Sequence, residues 1–178
     1  MIQNKKDYKN YIFEDRKALH VPEGRRSPRP FLDSIWRYEI RLRKCEYYKN
    51  VPGFMHKIFY AWHYFRLLKL GEKLGIIIDP NVFGPGLCIA HFSGIIVNSA
   101  ARVGANCNIQ SGVCIGATGG SKIAPIIGDN CHIGSGAKII GEIKIADNVT
   151  IGAGAVVIKD VLEEGATVVG VPARIIKK

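Results

Sequence analysis

Between residues 127 and 162 one pattern repeats without a slip. Aliphatic side chains recur at every sixth position, Ile127, Ile133, Ile139, Ile145, Ile151 and Val157, and a small or apolar residue stands four places after each, at Cys131, Ala137, Ile143, Val149, Ala155 and Val161. A step of six residues matches neither the helical period of about 3.6 nor the strand alternation of about 2. It predicts a β-solenoid, in which each unit supplies a short strand and a turn, and stacked coils bury one apolar column. The frame runs backward through Ile115, Ile109, Val103 and Val97, with Val113, Cys107 and Ala101 in the four-later places. One step further it assigns an aliphatic slot to position 91, where the chain has His91. Between Ile115 and Ile127 the count is kept while the apolar pattern fails at Thr118-Gly119-Gly120-Ser121-Lys122, which predicts a loop leaving the coil. Asp79-Pro80 opens the solenoid, Glu163-Glu164-Gly165 ends the repeat, and Val168-Val169-Gly170-Val171-Pro172-Ala173 reads as a closing strand.

Ahead of the solenoid the period changes to that of helices. Tyr8, Tyr11, Ile12, Ala18 and Leu19 predict an amphipathic helix over 7–19, ended by Val21-Pro22-Glu23-Gly24. Arg25-Arg26-Ser27-Pro28-Arg29-Pro30 is a loop by its prolines and charges. Asp33 or Ser34 can cap a second helix that runs to about Tyr48 and stops at Pro52-Gly53. A third helix, from Phe54 to about Leu70, carries Met55, Ile58, Phe59, Trp62, Phe65 and Leu68 at helical spacing, with Lys57, Arg66 and Lys69 between them. Two readings of that stripe stand: it packs against the other helices or the solenoid, or it contacts a membrane surface, as cationic amphipathic helices do. The expected organisation is a helical arm over 1–77 and a β-helix over 78–178.

Charge sharpens this division. The net charge is +10, and residues 1–78 hold 17 Lys and Arg against 8 Asp and Glu, so the excess belongs to the arm. No nucleic-acid recognition motif accompanies it, so nucleic-acid binding is not expected. Residues 1–10 are polar and lysine-rich with no apolar run behind them, unlike a secretory signal. No segment reaches the roughly 18 apolar residues of a membrane span. Five cysteines without a CxxC pair read as buried thiols used as small hydrophobes, Cys107, Cys131 and Cys88 within the coil pattern. Together these features suggest a cytoplasmic protein, possible contact with the inner membrane surface resting on the arm alone.

Ile89-Ala90-His91-Phe92-Ser93-Gly94, Ile115-Gly116-Ala117-Thr118-Gly119-Gly120, Ile133-Gly134-Ser135-Gly136-Ala137, Ile151-Gly152-Ala153-Gly154-Ala155 and Gly170-Val171-Pro172-Ala173 resemble the hexapeptide acyltransferase family. They look most like its serine-acetyltransferase-type branch, which includes enzymes of surface-polysaccharide synthesis. The resemblance covers the chain from about Ile78 onward. It implies a left-handed parallel β-helix with three hexapeptides per triangular coil, a departure from the right-handed crossover rule. It also implies a homotrimer and acetyl-CoA as co-substrate, lying in a groove between neighbouring subunits.

Acetyl transfer from a thioester to a hydroxyl needs a base for the hydroxyl proton and donors for the developing oxyanion. An imidazole titrates near neutrality, and His91 matches the family's catalytic histidine. Ala117, Thr118, Gly119, Ser135 and Ala153 match its acetyl-CoA positions, where small side chains allow close approach to the main chain, and Lys138 and Lys159 are candidates for the CoA phosphates. His20, His56, His63 and His132 read as surface or packing residues. A zinc site like that of the γ-type carbonic anhydrases, which share the β-helix, would need three imidazoles, and the solenoid has only His91 and His132, so no metal is expected. No Asp or Glu lies within ten residues of His91, which leaves open what orients it.

The resemblance departs at the acceptor. An aspartate precedes the histidine in true serine acetyltransferases, whereas here it is Ala90; their later arginine and histidine correspond to Ile123 and Ala124. An amino acid's ammonium and carboxylate each need a charged partner when buried, and a sugar hydroxyl does not. The expected activity is therefore O-acetylation of a sugar or surface-polysaccharide precursor by direct attack. Serine O-acetylation is the alternative, and a non-catalytic β-helix binding a membrane or partner is the second.

Overall fold

The computed structural model describes residues 1–176; Lys177 and Lys178 lie outside them. Three helices come first, α1 (Lys5–Ala18), α2 (Ser34–Asn50) and α3 (His56–Leu74). Asn4 caps α1 through its side-chain oxygen, which accepts the N–H groups of Lys6 and Asp7. Asp33 stands at the N-cap of α2 without a side-chain cap bond, because its carboxylate accepts hydrogen bonds from Arg25 and Arg29 of the preceding loop. Gly75, in the left-handed conformation, ends α3.

The solenoid strands then follow as β1 (Ile76–Ile77), β2 (Cys88–Ile89), β3 (Ile95–Val97), β4 (Arg102–Val103), β5 (Asn108–Ile109), β6 (Cys114–Gly116), β7 (Ile126–Ile127), β8 (His132–Ile133), β9 (Lys138–Ile140), β10 (Lys144–Ile145), β11 (Thr150–Ile151), β12 (Val156–Val157), β13 (Thr167–Val169) and β14 (Arg174–Ile176). They form three faces, ordered β1-β3-β6-β9-β12, β10-β7-β4 and β14-β13-β11-β8-β5-β2. All pairings are parallel except β13 with β14, which turn back on each other. The expected closing strand therefore stops at Val169, and Ile175 and Ile176 belong to an antiparallel strand that covers the last coil.

Register shows why the hexapeptide step works. Val97 pairs with Ile115 and Ile139 with Val157, so each coil is closed by three repeats of the step. Ile115 pairs with Ile139, a span longer by one whole repeat. The extra repeat leaves the coil as the exposed loop around 118–123, as its polar composition predicts. Every aliphatic and four-later residue of the repeat from Val97 to Val161 is buried in one continuous core. Glycine is required at one corner: a Cβ on Gly104 would collide with Asp129 Oδ1, and one on Gly128 with Asp147 Oδ1. Each of those carboxylates accepts a main-chain N–H from the coil before it, Ala105 and Asp129 respectively.

The helices share the solenoid's core through Tyr38, Leu42, Cys45, Leu67 and Leu74. The aromatic stripe of α3 is not part of that contact. Met55, Ile58, Phe59, Trp62, Phe65 and Leu68 face outward, while His63, Leu67, Gly71 and Leu74 form the inner face. The packing reading of the stripe holds at Phe59, whose ring meets Tyr48 of α2 at 5.3 Å, and fails for the other, more exposed residues; the opposite side of α3 meets the protein.

His63 is 6% exposed, stacked on Tyr48 at 5.3 Å, with Nδ1 lacking a partner. Burial, reinforced by the positive charges of Lys44, Arg41 and Arg66, pushes its imidazole down to about 4. The folded state prefers the neutral ring, so this contribution to stability is present at neutral pH and is lost as pH falls from about 6.5 towards about 4. His63→Gln, which takes no proton, will reduce the fall in denaturant midpoint across that window relative to the unsubstituted protein; parallel curves would refute the assignment.

Candidate active site

The segment joining α3 to the regular coils, residues 79–87, has almost no strand structure, and its main-chain groups need partners. Acidic side chains from the helices supply them. Asp15 of α1 accepts the N–H groups of Gly86 and Leu87, each at 2.9 Å; Glu46 of α2 accepts that of Asn81 at 2.9 Å; and Glu39 accepts that of Ile89 at 3.1 Å. Arg43 ties these together. Its fully buried guanidinium donates to both oxygens of Asp15 at 2.7 and 3.1 Å, to Glu46 at 3.0 and 3.1 Å, and to the carbonyls of Phe83 at 2.9 Å and Gly84 at 2.6 Å. Burial would lower the proton affinity of Arg43, but Glu46 and Asp15 outweigh it and hold the guanidinium above its ordinary value. Glu39 has no such cation bonded to it. Burial, with Asp15 nearby, raises its carboxyl well above the usual range, and its Oε2 has no partner.

This clamp delivers the chain to the corner between β2 and β3. Below that corner the coils are in step: Gly136 N–H donates to Ser111 and Gly154 N–H to Ser135, so Ser111, Ser135 and Ala153 form a column. At the top coil Gly112 N–H donates to Ser93, so Ser93 heads this column. Yet the pairing of Ile89 with Ile109, before the corner, spans more chain than that of Ile96 with Cys114, after it. The first coil therefore has two extra residues here. Ala90 N–H still donates to Ile109, so the excess is His91 and Phe92. This corrects the repeat frame, which puts His91 in an inward slot: Ile89, fully buried, fills that slot, and His91 is extruded and exposed. Ser93 returns the chain to the coil with φ 101°, a left-handed conformation that costs energy for a residue with a side chain.

The extruded His91 lines a cleft of about 660 Å³ whose other wall is the arm: the end of α1, the loop before α2, and Trp36. His20, Arg25 and Asp33 reach this cleft. His20 is exposed, in keeping with a surface residue, and shares the cleft with His91. One expectation changes: the site is not devoid of charged partners for an amino acid, because the arm brings Arg25 and Asp33 to it, ion-paired at 3.3 Å. Sequence reasoning misses them, and only the prolines and arginines of the 25–30 loop mark the segment as unusual. Among the described residues nothing hydrogen-bonds the His91 ring.

The other candidates divide between two corners. Ser135 and Ala153 are exposed in the column beneath His91. Ala117, half-buried, with exposed Thr118 and Gly119, leaves β6 at the next corner, where Lys159 also follows β12. Lys138 is half-buried and donates to the Gly112 carbonyl at 2.6 Å. His132 is exposed on β8, and His56 bonds the Val51 carbonyl through Nδ1 at 2.6 Å. Among the described residues no three His, Cys, Asp or Glu side chains converge as metal ligands would.

Comparison with known proteins places this geometry. Residues 124–159 match the bacterial transferase hexapeptide model, six repeats. A serine acetyltransferase of Mycobacterium tuberculosis is 43% identical over 74 residues, 40% of this chain and 32% of that protein. One from Synechococcus elongatus is 42% identical over 85 residues, 45% and 35% of the two chains. These matches span about a third of the relatives' length. Among solved structures, Brucella abortus serine acetyltransferase in complex with coenzyme A superposes with a TM-score of 0.74 at 28% identity, covering 97% of this chain and 68% of that one. The Neisseria gonorrhoeae serine acetyltransferase in complex with serine gives 0.71 at 28%, covering 97% and 70% of the two chains. The fold is that of these proteins, a left-handed parallel β-helix preceded by a helical region.

Arg43→Ala would leave Asp15 and Glu46 buried without their cation. We expect a loss of about 3–5 kcal/mol in unfolding free energy, measured by urea denaturation; a loss below about 1 kcal/mol, typical of exposed pairs, would show that the clamp is dispensable.

Proposed function

For a chain that resembles the serine-acetyltransferase branch of the hexapeptide transferases, we propose acetyl-CoA-dependent O-acetylation with His91 as general base. The acceptor hydroxyl gives its proton to the imidazole as its oxygen attacks the thioester carbonyl. The carbon–sulfur bond then breaks, and the CoA thiolate leaves with the proton that the imidazolium returns. The observation that carries this reading is the two-residue insertion, which lifts one histidine from an otherwise buried register position onto a cleft. Glu39 supports it from the arm by holding Ile89, two residues ahead of His91.

The donor would lie along the corner columns. Small residues at Ser135 and Ala153, together with Ala117, Thr118 and Gly119, allow it to approach the main chain, and the exposed Lys159 can meet a phosphate. Lys138 could do so only by leaving the Gly112 carbonyl. These residues occupy two corners of one chain, which supports a homotrimer in which one corner from each of two neighbours completes the groove. The relatives' names favour serine as acceptor over the sugar expected from the sequence. Arg25 and Asp33 carry the signs its carboxylate and ammonium require. The sugar reading keeps one argument, since those two side chains already pair with each other and Ala90, Ile123 and Ala124 add no charge. The end of α1 and the loop before α2 serve the acceptor side of the cleft in either case, and nothing in the mechanism requires a metal or a compartment other than the cytoplasm.

The test is CoA release from acetyl-CoA with serine and with nucleotide- or lipid-linked sugars. We expect serine to stimulate release and His91→Ala to lower the rate about 10²–10⁴-fold with CoA binding kept. Stimulation by a sugar alone would reassign the acceptor, and an unchanged rate in the variant would remove His91 from catalysis.

A further inference from the structure

The outer face of α3 is built unlike the rest of the surface. Met55, Ile58, Phe59, Trp62, Phe65 and Leu68 are each 41% to 60% exposed, and Phe54 just ahead of the helix is 97% exposed. Their spacing places them on one side of the helix over its first three turns. Farther along the same side come Arg66, Lys69 and Lys73, all exposed. The Arg66 guanidinium lies over the Trp62 ring at 4.6 Å, joining the apolar and basic parts.

The neighbouring helix extends the basic part. α2 contains two acidic residues, Glu39 and Glu46, and both are turned inward to the clamp. Its remaining charges outside the clamp are all basic, Lys49 exposed and Arg37, Arg41 and Lys44 half-buried. Arg41, Lys44 and Arg66 all stand close enough to His63 for their charges to act on its ring. On α3 the one acidic residue, Glu72, pairs with Lys69 at 3.2 Å. Burying the α2 carboxylates has left a mainly basic surface, with Glu72 the exposed acid of α3, beside an aromatic stripe.

We propose that this face binds the surface of a bilayer containing anionic phospholipid. A headgroup layer offers negative charge to the arginines and lysines, and the acyl boundary beneath it takes Ile58, Trp62 and Phe65, as interfacial helices immerse their apolar side by about 5–10 Å. A two-fold contact with a second copy satisfies the apolar residues but sets the Arg66 and Lys69 rows against their own images, where like charges repel. The helix lies in the headgroup plane and does not cross it: among the described residues no helix is long and apolar enough to span a membrane. The cleft bearing His91 is formed without α3, so the attachment is independent of the catalytic reading.

The test is co-sedimentation of the full chain with vesicles of phosphatidylcholine, with and without phosphatidylglycerol. We expect binding only with phosphatidylglycerol, weakening as salt is raised. Trp62→Glu with Phe65→Glu, and separately Arg66→Glu with Lys69→Glu, each lower the vesicle affinity by at least about tenfold. These positions are exposed, so circular dichroism and CoA release with a soluble acceptor stay unchanged. The proposal is overturned if the unsubstituted chain stays in the supernatant, if either double variant binds as before, or if the Trp62 and Phe65 variant lowers the mass in sedimentation equilibrium without lipid. That last result means another copy covers the face.

Discussion

A buried guanidinium is costly unless every donor is used, and Arg43 uses all of its groups on four partners drawn from α1, α2 and the segment entering the solenoid. The carboxylates it neutralises are the same ones that accept main-chain N–H groups at Asn81, Gly86 and Leu87. On one side that segment bonds the next coil through Val82, Gly84 and Pro85, and on the other, where the solenoid supplies no further coil, the helices hydrogen-bond it instead. Removing the cation would leave two buried anions as well as loosen the helices. The arm is therefore structurally the first coil's missing neighbour.

The candidate site follows from where that clamp hands over to the repeat. A strict hexapeptide register turns every inward residue into core, which is stable but chemically silent. Two added residues at one corner break the register once, and the backbone returns to step through Ser93 in a left-handed conformation and Gly94 after it. What emerges is His91, exposed, in one cleft with the loop that carries Arg25 and Asp33. Regular coils on one side and the clamp on the other hold the ends of this short excursion, with Glu39 bonded to Ile89 just before it.

The clamp also shapes the outside. By drawing Glu39 and Glu46 inward it leaves α2 with a basic exterior, next to a helix whose exposed face is aromatic. Most of the net charge of +10 belongs to the arm, and the burial of Glu39 and Glu46 removes the acidic side chains of α2 from its surface.

Much of the fold was legible in the chain. A six-residue apolar step is incompatible with any other regular structure, so it dictated the solenoid, its inward residues and the loop near 118–123; the three helices appeared within a few residues of their bounds. These are local properties, set by period and by the cost of exposing or burying a side chain. What depended on tertiary structure was decided by partners distant in sequence. His91 has no acidic residue within ten positions, and the carboxylate that steadies its strand comes from Glu39, 50 residues earlier than Ile89. The repeat frame misplaces His91 because a two-residue insertion changes register without changing composition. The stripe of α3 was visible, but a helix with apolar residues on both sides does not say which side will be covered; Tyr38, Leu42 and the solenoid's first strands chose the side bearing Leu67 and Leu74.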